Sequence, residues 1–359
     1  MTNFSEKASS ADCQTYIDAL FGGLLPNADC VSVHLAHSLR RPRSLLQSWQ
    51  IEVGQPGWLR WSLSLEWPET QDGTWLSPVL LSPDACWPHC LDTAARDEVL
   101  QAGVALASFN RLDIAHDSPA GERTGAVFEH WPDGRFGAIS AWAWGISRSV
   151  DALLQIGFDA GALGVVGHSR SGKAALLAAA IDERIALTVA HNSGTAGAAS
   201  FQLQGPQAET LQQLQQAFPH WLGKDTGQAH AQQHIAALDS PTLLQAIWPR
   251  RLCILQANDD LWANPAGTRH AFETLVAQQN AADLRHNTTL IERAGGHAMT
   301  SRDWQRAASQ LRKLAMDRCQ DELHGVPRGF SPTSPARNTH PESGLWPARC
   351  GPIPAQPVP

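Results

Sequence analysis

The fold of this chain follows from twelve residues, Leu163-Gly-Val-Val-Gly-His-Ser-Arg-Ser-Gly-Lys-Ala174. An apolar run stops at Gly167, Ser169 follows two residues later, and an alanine-rich run comes next. This order predicts a buried strand, a sharp turn at Ser169 and a helix. The match to the nucleophile motif G-x-S-x-G is imperfect, because the second glycine comes one place late, at Gly172. On this motif alone, an ordinary tight turn is an equally good interpretation.

The rest of the chain alternates between apolar runs of strand length and segments of helical periodicity. The predicted strands are Trp58–Trp67, Pro78–Pro83, Gly103–Phe109, Leu163–Val166, Ile185–Val189, Arg251–Ala257 and Thr288–Glu292. The predicted helices between them are Asp92–Gln101, Ile139–Leu154, Ala174–Ala180, Pro265–Gln279 and Trp304–Cys319. Such alternation is typical of an α/β protein with a mainly parallel central sheet and helices on both faces, a three-layer sandwich.

Three regions of the chain depart from this alternation. Residues 1–45 show little periodicity apart from a short helix at Asp18–Leu25, and we interpret them as an N-terminal extension. The main domain then spans residues 46–324, with a glutamine-rich helical insertion at about 198–248. Residues 325–359 are rich in proline and poor in apolar residues, which predicts a flexible tail.

Composition excludes several function classes. The net charge of −7 argues against nucleic acid as a partner, because phosphate backbones require clustered basic residues. No apolar stretch reaches membrane-spanning length, so we expect no membrane partner. The seven cysteines have no C-x-x-C spacing, which argues against a structural zinc site or a disulfide framework. The first residues lack the features of a secretory signal, which favours a cytoplasmic location.

Candidate catalytic residues fall at the carboxyl ends of predicted strands, where sheets of this class carry their sites. A serine nucleophile needs a base, and the base needs an orienting acid. His297 follows a strand and two glycines and is the best candidate base. Asp260 follows the strand that ends at Ala257 and is the candidate acid, with Asp259 as the alternative. The order Ser169, Asp260, His297 is that of the α/β-hydrolase fold, which is the predicted fold.

A metal site is a weaker hypothesis. His230 and His234 lie four residues apart on a predicted helix, which is the spacing of two ligands on one face. No glutamate follows His230 as in H-E-x-x-H, and no third ligand is evident. We therefore expect no metal ion and no other cofactor.

The nucleophile segment also resembles a known family. Gly167-His-Ser-Arg-Ser-Gly-Lys-Ala174 is similar to the G-C-S-R-N-G-K-G signature of glucuronoyl esterases, carbohydrate esterase family 15, in which the late glycine is part of the pattern. The resemblance covers roughly residues 75–315. Further similar segments, in the same order, are Ala141–Arg148, Ile185–Gly194, Phe218–Trp221, Asp259–Pro265 and Ala294–His297.

The chain departs from the family pattern at three positions. Many members have the triad glutamate in a Q-E-S-G segment, and this position is Asn192 here. A neutral amide cannot stabilise an imidazolium with a charge, so the acid is expected in the later loop, at Asp260, as in some bacterial members. His168 stands where the family has cysteine, and Phe201 where it has tryptophan.

The resemblance implies a serine carboxylic-ester hydrolase that forms an acyl-enzyme on a sugar or uronate ester. It implies that Arg170 helps to bind the oxyanion and that Lys173 and Trp262 contact the sugar. We expect further oxyanion contacts from N–H groups of residues 84–87. An esterase for small acylated metabolites or acetyl esters is the main alternative. A non-catalytic binding protein, which only Asn192 favours, and a peptidase are weaker ones.

Overall fold

The computed structural model describes residues 4–26, 30–54, 57–69, 77–278 and 287–323. The flexible tail predicted at residues 325–359 lies outside the described residues. A central sheet organises the described part of the chain. Its strands are β1 (Val31–Arg41), β2 (Ser44–Val53), β3 (Leu59–Pro68), β4 (Val79–Ser82), β5 (Ala105–Phe109), β6 (Leu163–His168), β7 (Leu187–His191), β8 (Arg251–Ala257) and β9 (Thr288–Arg293).

The strand order across the sheet is β1-β2-β3-β5-β4-β6-β7-β8-β9. The pairs β1–β2, β2–β3 and β3–β5 are antiparallel, whereas the neighbours from β5 to β9 are parallel. Parallel neighbours bring the carboxyl ends of β4 to β9 to one edge of the sheet. Every candidate catalytic residue follows one of these ends.

Helices cover both faces of the sheet. They are α1 (Phe4–Phe21), α2 (Thr93–Gln101), α3 (Ala126–His130), α4 (Ala138–Ile156), α5 (Arg170–Ile181), α6 (Leu211–Ala217), α7 (Ala229–Ile247), α8 (Pro265–Gln278) and α9 (Ser301–Leu323). Consecutive residues of β6 face opposite sides of the sheet: Val165 packs into one apolar cluster and Val166 into another. A strand buried on both faces reads as a continuous apolar run, which is why Leu163–Val166 was recognisable. The three-layer α/β-hydrolase fold is confirmed. No helix in the described part of the chain is both long and apolar enough to cross a lipid bilayer.

The N-terminal residues contribute more structure than the sequence indicates. The helix predicted at Asp18–Leu25 is wrong in its bounds, because α1 begins at Phe4 and ends before Gly22, whose φ is 73°. Tyr16 and Phe21 are fully buried in the same apolar cluster as α7 residues, and β1 extends the sheet beyond β2. The segment predicted as an N-terminal extension therefore supplies a helix and an edge strand to the main unit.

Candidate active site

Ser169 lies at a strained turn between β6 and α5. Its backbone has φ 55° and ψ −121°, a conformation that non-glycine residues rarely adopt. Gly167 makes the turn possible, because a Cβ at that position would lie 2.1 Å from the carbonyl oxygen of Ser171. The turn thus has the geometry of a nucleophile elbow, which holds the serine hydroxyl above the edge of the sheet.

His297 and Asp260 are brought together by the last two strands of the sheet. Asp260 follows β8 and His297 follows β9, and the two strands are parallel neighbours. The distance from His297 Nδ1 to Asp260 Oδ2 is 2.6 Å, and the Asp260 side chain is only 6% exposed. Asp259, the alternative acid, instead accepts a hydrogen bond from the backbone N–H of Gly295 at 2.6 Å. This geometry favours Asp260 as the orienting acid.

Asn192 does not take the part that a glutamate has in the family pattern. Its Oδ1 accepts the N–H of Ala257 at 2.8 Å, and its Nδ2 donates to the backbone carbonyl of His297 at 3.1 Å. The residue is 2% exposed and has a φ of 43°. Asn192 therefore connects the end of β8 to the loop that carries the imidazole.

The guanidinium of Arg170 is held by a carboxylate and by aromatic rings. Its Nη1 donates to Asp117 Oδ2 at 2.5 Å. Its Cζ lies 4.6 Å from the ring centroid of Trp221, 4.9 Å from that of Trp87 and 5.6 Å from that of Phe218. These contacts fix the position of the guanidinium, as an oxyanion ligand requires.

Asp117 is ionised despite its burial. Burial acts to raise its pKa, but the hydrogen bond from His220, the charge of Arg170 and the hydrogen bonds from Trp221 and Arg170 outweigh burial and lower that pKa far below its usual value. The contacts are 3.2 Å from His220 Nε2 and 2.8 Å from Trp221 Nε1. A permanent negative charge therefore faces Arg170.

The oxyanion contacts expected from the loop after β4 are only partly available. The N–H groups of Asp84, Ala85 and Trp87 already donate to acceptors in the protein, at 2.9 to 3.3 Å. The prediction is therefore wrong for these three groups. The N–H of Arg170 stands at the first position of α5, where a helix leaves its amides without intrahelical acceptors.

Lys173 is a buried member of the site rather than a surface lysine. It is 4% exposed, and its Nζ donates to the backbone carbonyls of Ser193 and Thr195, each at 2.5 Å. Burial lowers the pKa of Lys173 to about 8. The ammonium keeps one further N–H for a ligand, because it has three donors.

Glu209 interacts with both Lys173 and Trp262, and sequence patterns did not predict it as a site residue. It is 4% exposed, its N–H donates to the carbonyl of Trp262 at 3.0 Å, and its side chain hydrogen-bonds to Trp262. Burial raises the pKa of Glu209, whereas the charge of Lys173 opposes the rise. The Trp262 residue is 49% exposed. Glu209 lies in the insertion, away from any strand end, so no pattern pointed to it.

A pair of buried histidines lies beneath the catalytic candidates. His168 Nδ1 is 2.9 Å from His191 Nδ1, so one ring donates and the other accepts. His191 Nε2 lies 3.4 Å from Asp303, and the His168 ring centroid is 4.6 Å from that of His297. Burial lowers the pKa of His168 to about 2 and also lowers the pKa of His191. Both rings are therefore neutral beneath His297.

The structure provides no support for a metal site at His230 and His234. His230 and His234 are both exposed on α7. The described ranges contain no group of three or more His, Cys, Asp or Glu side chains arranged to hold a metal ion.

Known esterases resemble this chain over about half of its length. A family model described as "Glucuronyl esterase, fungi" matches residues 62–280, which is more than half of the chain. A 4-O-methyl-glucuronoyl methylesterase of Sodiomyces alcalophilus is 35% identical over 195 residues, which cover 50% of this chain and 39% of that protein. A carbohydrate esterase from an unknown prokaryotic organism is 33% identical over 192 residues, which cover 48% of this chain and 43% of that protein. The matches thus span less than half the length of these curated relatives.

Solved structures agree over most of the chain. A family 15 glucuronoyl esterase from Caldicellulosiruptor kristjansonii is 25% identical with a TM-score of 0.70, covering 94% of this chain and 92% of that one. A glucuronoyl esterase from Solibacter usitatus has a TM-score of 0.74 at 21% identity, covering 87% of this chain and 93% of that one, and it supports the fold. From the match of the family model, the chain belongs to the glucuronoyl esterase family.

Proposed function

We propose that this chain is a serine carboxylic-ester hydrolase that cleaves uronate esters. The observation that carries the proposal is the 2.6 Å contact between His297 and Asp260 at the same sheet edge as the strained turn of Ser169. Relatives named 4-O-methyl-glucuronoyl methylesterases support the uronate ester as substrate. The buried Lys173 and Glu209 supply the polar groups that bind sugar hydroxyls.

The reaction begins with attack of Ser169 Oγ on the ester carbonyl carbon. His297 takes the hydroxyl proton on Nε2, while Asp260 at Nδ1 orients the ring and stabilises the imidazolium. The tetrahedral oxyanion is bound by Arg170, through its backbone N–H and its guanidinium. Among the described residues, the Nε of Arg170 is buried without a hydrogen-bond acceptor, whereas the side chain as a whole is 24% exposed.

The second half of the reaction returns the enzyme to its starting state. Collapse of the tetrahedral intermediate breaks the bond to the alcohol oxygen, which leaves with the proton from His297, and an acyl-enzyme ester on Ser169 remains. Water then attacks the acyl carbon, and His297 takes one of its protons. The free carboxylic acid leaves as Ser169 regains its proton. No cofactor enters any step.

Relative rates on matched esters test the proposal. We expect kcat/KM for methyl glucuronate to exceed that for an aryl acetate by at least about tenfold, because only the uronate reaches Lys173 and Glu209. Ser169→Ala should abolish both activities, whereas Ser309→Ala on the exposed side of α9 should leave them unchanged. Equal rates on both esters would refute the uronate assignment. Activity that survives in Ser169→Ala would refute the nucleophile.

A further inference from the structure

The strained turn at Ser169 needs support from outside its own segment. A residue held in an unfavourable backbone region relaxes unless its surroundings fix it, at a cost of about 1–3 kcal/mol. One restraint is the backbone N–H of Ser169, which donates to the carbonyl of His191 at 2.8 Å. Neighbouring groups on either side of Ser169 need restraints as well.

Asp84, in the loop after β4, restrains the chain on both sides of Ser169. Its Oδ2 accepts the backbone N–H of His168 at 3.1 Å, and its Oδ1 accepts the hydroxyl of Ser171 at 2.5 Å. Pairing between β4 and β6 ends at Leu81 and Val165, so the carboxylate takes over where the backbone ladder stops. The Asp84 carboxylate therefore restrains His168, just before Ser169, and Ser171, two residues after it.

Arg111 supplies the charge that balances this carboxylate. Asp84 and Arg111 side chains are each 1% exposed, and Arg111 Nη1 donates to Asp84 Oδ1 at 2.9 Å. A buried carboxylate without such a partner would be strongly destabilising. Arg111 Nη2 also lies 3.5 Å from Asp117, the carboxylate that holds Arg170. The same ion-pair network thus connects the serine turn to the proposed oxyanion ligand.

We propose that Asp84 is a positioning residue that fixes the Ser169 hydroxyl for attack, with Arg111 as its counter-charge. The role rests on the proposed function, because it concerns the geometry of the same nucleophile. Asp84 does not touch the substrate; it acts through the backbone of His168 and the side chain of Ser171.

Asp84→Asn tests the role with almost no change in shape. The amide oxygen can still accept from Arg111 and Ser171, but the amide N–H₂ then faces the N–H of His168, and that bond is lost. We expect kcat to fall about 10²-fold with KM changed less than about twofold, because displacement of a reacting group costs rate rather than binding. The rate of labelling by a fluorophosphonate should fall by the same factor. Asp113→Asn, at the exposed end of the short 3-10 helix Arg111–Asp113, is the matched control and should keep wild-type rates.

Ser171→Ala keeps the charge pair and removes only the hydroxyl contact, so it tests the same idea if Asp84→Asn fails to fold. We expect kcat to fall about tenfold at unchanged KM, with a folded circular dichroism spectrum and a cooperative melt. Wild-type kcat and labelling rate in a folded Asp84→Asn or Ser171→Ala variant would overturn the positioning role alone. A wild-type chain that is neither labelled nor active would overturn the proposed function as well, so the two failures are distinguishable.

Discussion

Replacement of Asp260 by asparagine is the sharpest perturbation of the proposed triad. The side chain keeps its shape, but the carboxylate 2.6 Å from His297 Nδ1 is lost as the imidazolium forms. Unit charges about 4 Å apart attract by about 4 kcal/mol at an effective dielectric constant of about 20, which corresponds to about 10³-fold in rate. Because the His297 side chain is 47% exposed, solvent screens part of this attraction. We therefore expect kcat/KM to fall by about 10²- to 10³-fold.

Steady-state hydrolysis of methyl glucuronate measures this loss, with Asp259→Asn as the matched control. Asp259 accepts the N–H of Gly295, and within the described part of the chain its carboxylate makes no hydrogen bond to the imidazole. The Asp259→Asn substitution should lower kcat/KM by less than about threefold. A loss of 10²-fold in Asp259→Asn with near-normal rates in Asp260→Asn would reverse the assignment of the acid. Near-normal rates in both variants would refute the carboxylate–imidazole mechanism.

Three further predictions follow from charges at the site. For the uronate ester, KM should rise as the pH rises through about 8, because Lys173 then loses its charge. The Lys173→Met variant should have a high KM without that pH dependence. A KM of the wild-type chain that does not change with pH would contradict a role of the Lys173 charge in binding. Asp117→Asn should lower kcat about tenfold by releasing Arg170, and an unchanged kcat would show that the ion pair is dispensable. Thermal stability should fall as the pH falls from 6.5 to 5, because unfolding lets the buried, neutral His168 and His191 take up protons. For His168, whose pKa is lowered to about 2, the loss approaches about 1.4 kcal/mol per pH unit. A constant melting temperature over that interval would refute the neutrality of the two rings.

Much of the parallel sheet could be predicted because strands β4 to β8 are buried on both faces. Such strands are short continuous apolar runs between helical segments, and β8 was predicted with its observed bounds. The chemistry-bearing residues then followed from their positions after strand ends. Parallel neighbours bring those ends to one edge, which is why His297 and Asp260 meet although they are 37 positions apart in the chain.

The antiparallel edge was harder to predict. Seven consecutive residues of β1, at positions 34–40, are exposed, so the strand lacks the alternation that marks a half-buried one. The α1 helix likewise has a weak apolar stripe, and its burial depends on packing against the distant α7. Neither element leaves a local pattern that a single sequence reveals.

Contacts between side chains that are far apart in the sequence could not be predicted either. Asp84 and Arg111 are 27 positions apart and meet only because β4 and β5 are neighbours in the sheet. Glu209 reaches Lys173 through the fold of the insertion. Buried charges of this kind are indistinguishable in sequence from the solvated aspartates and glutamates of ordinary loops.

The central claim is that Ser169 is the nucleophile of an ester hydrolase. Mass spectrometry of the full chain after treatment with a fluorophosphonate, followed by peptide mapping, tests it most directly. Our account predicts one adduct per chain, on the peptide that contains Ser169, with labelling slowed by glucuronate. An absence of adduct, or an adduct on another residue that persists in Ser169→Ala, would contradict it.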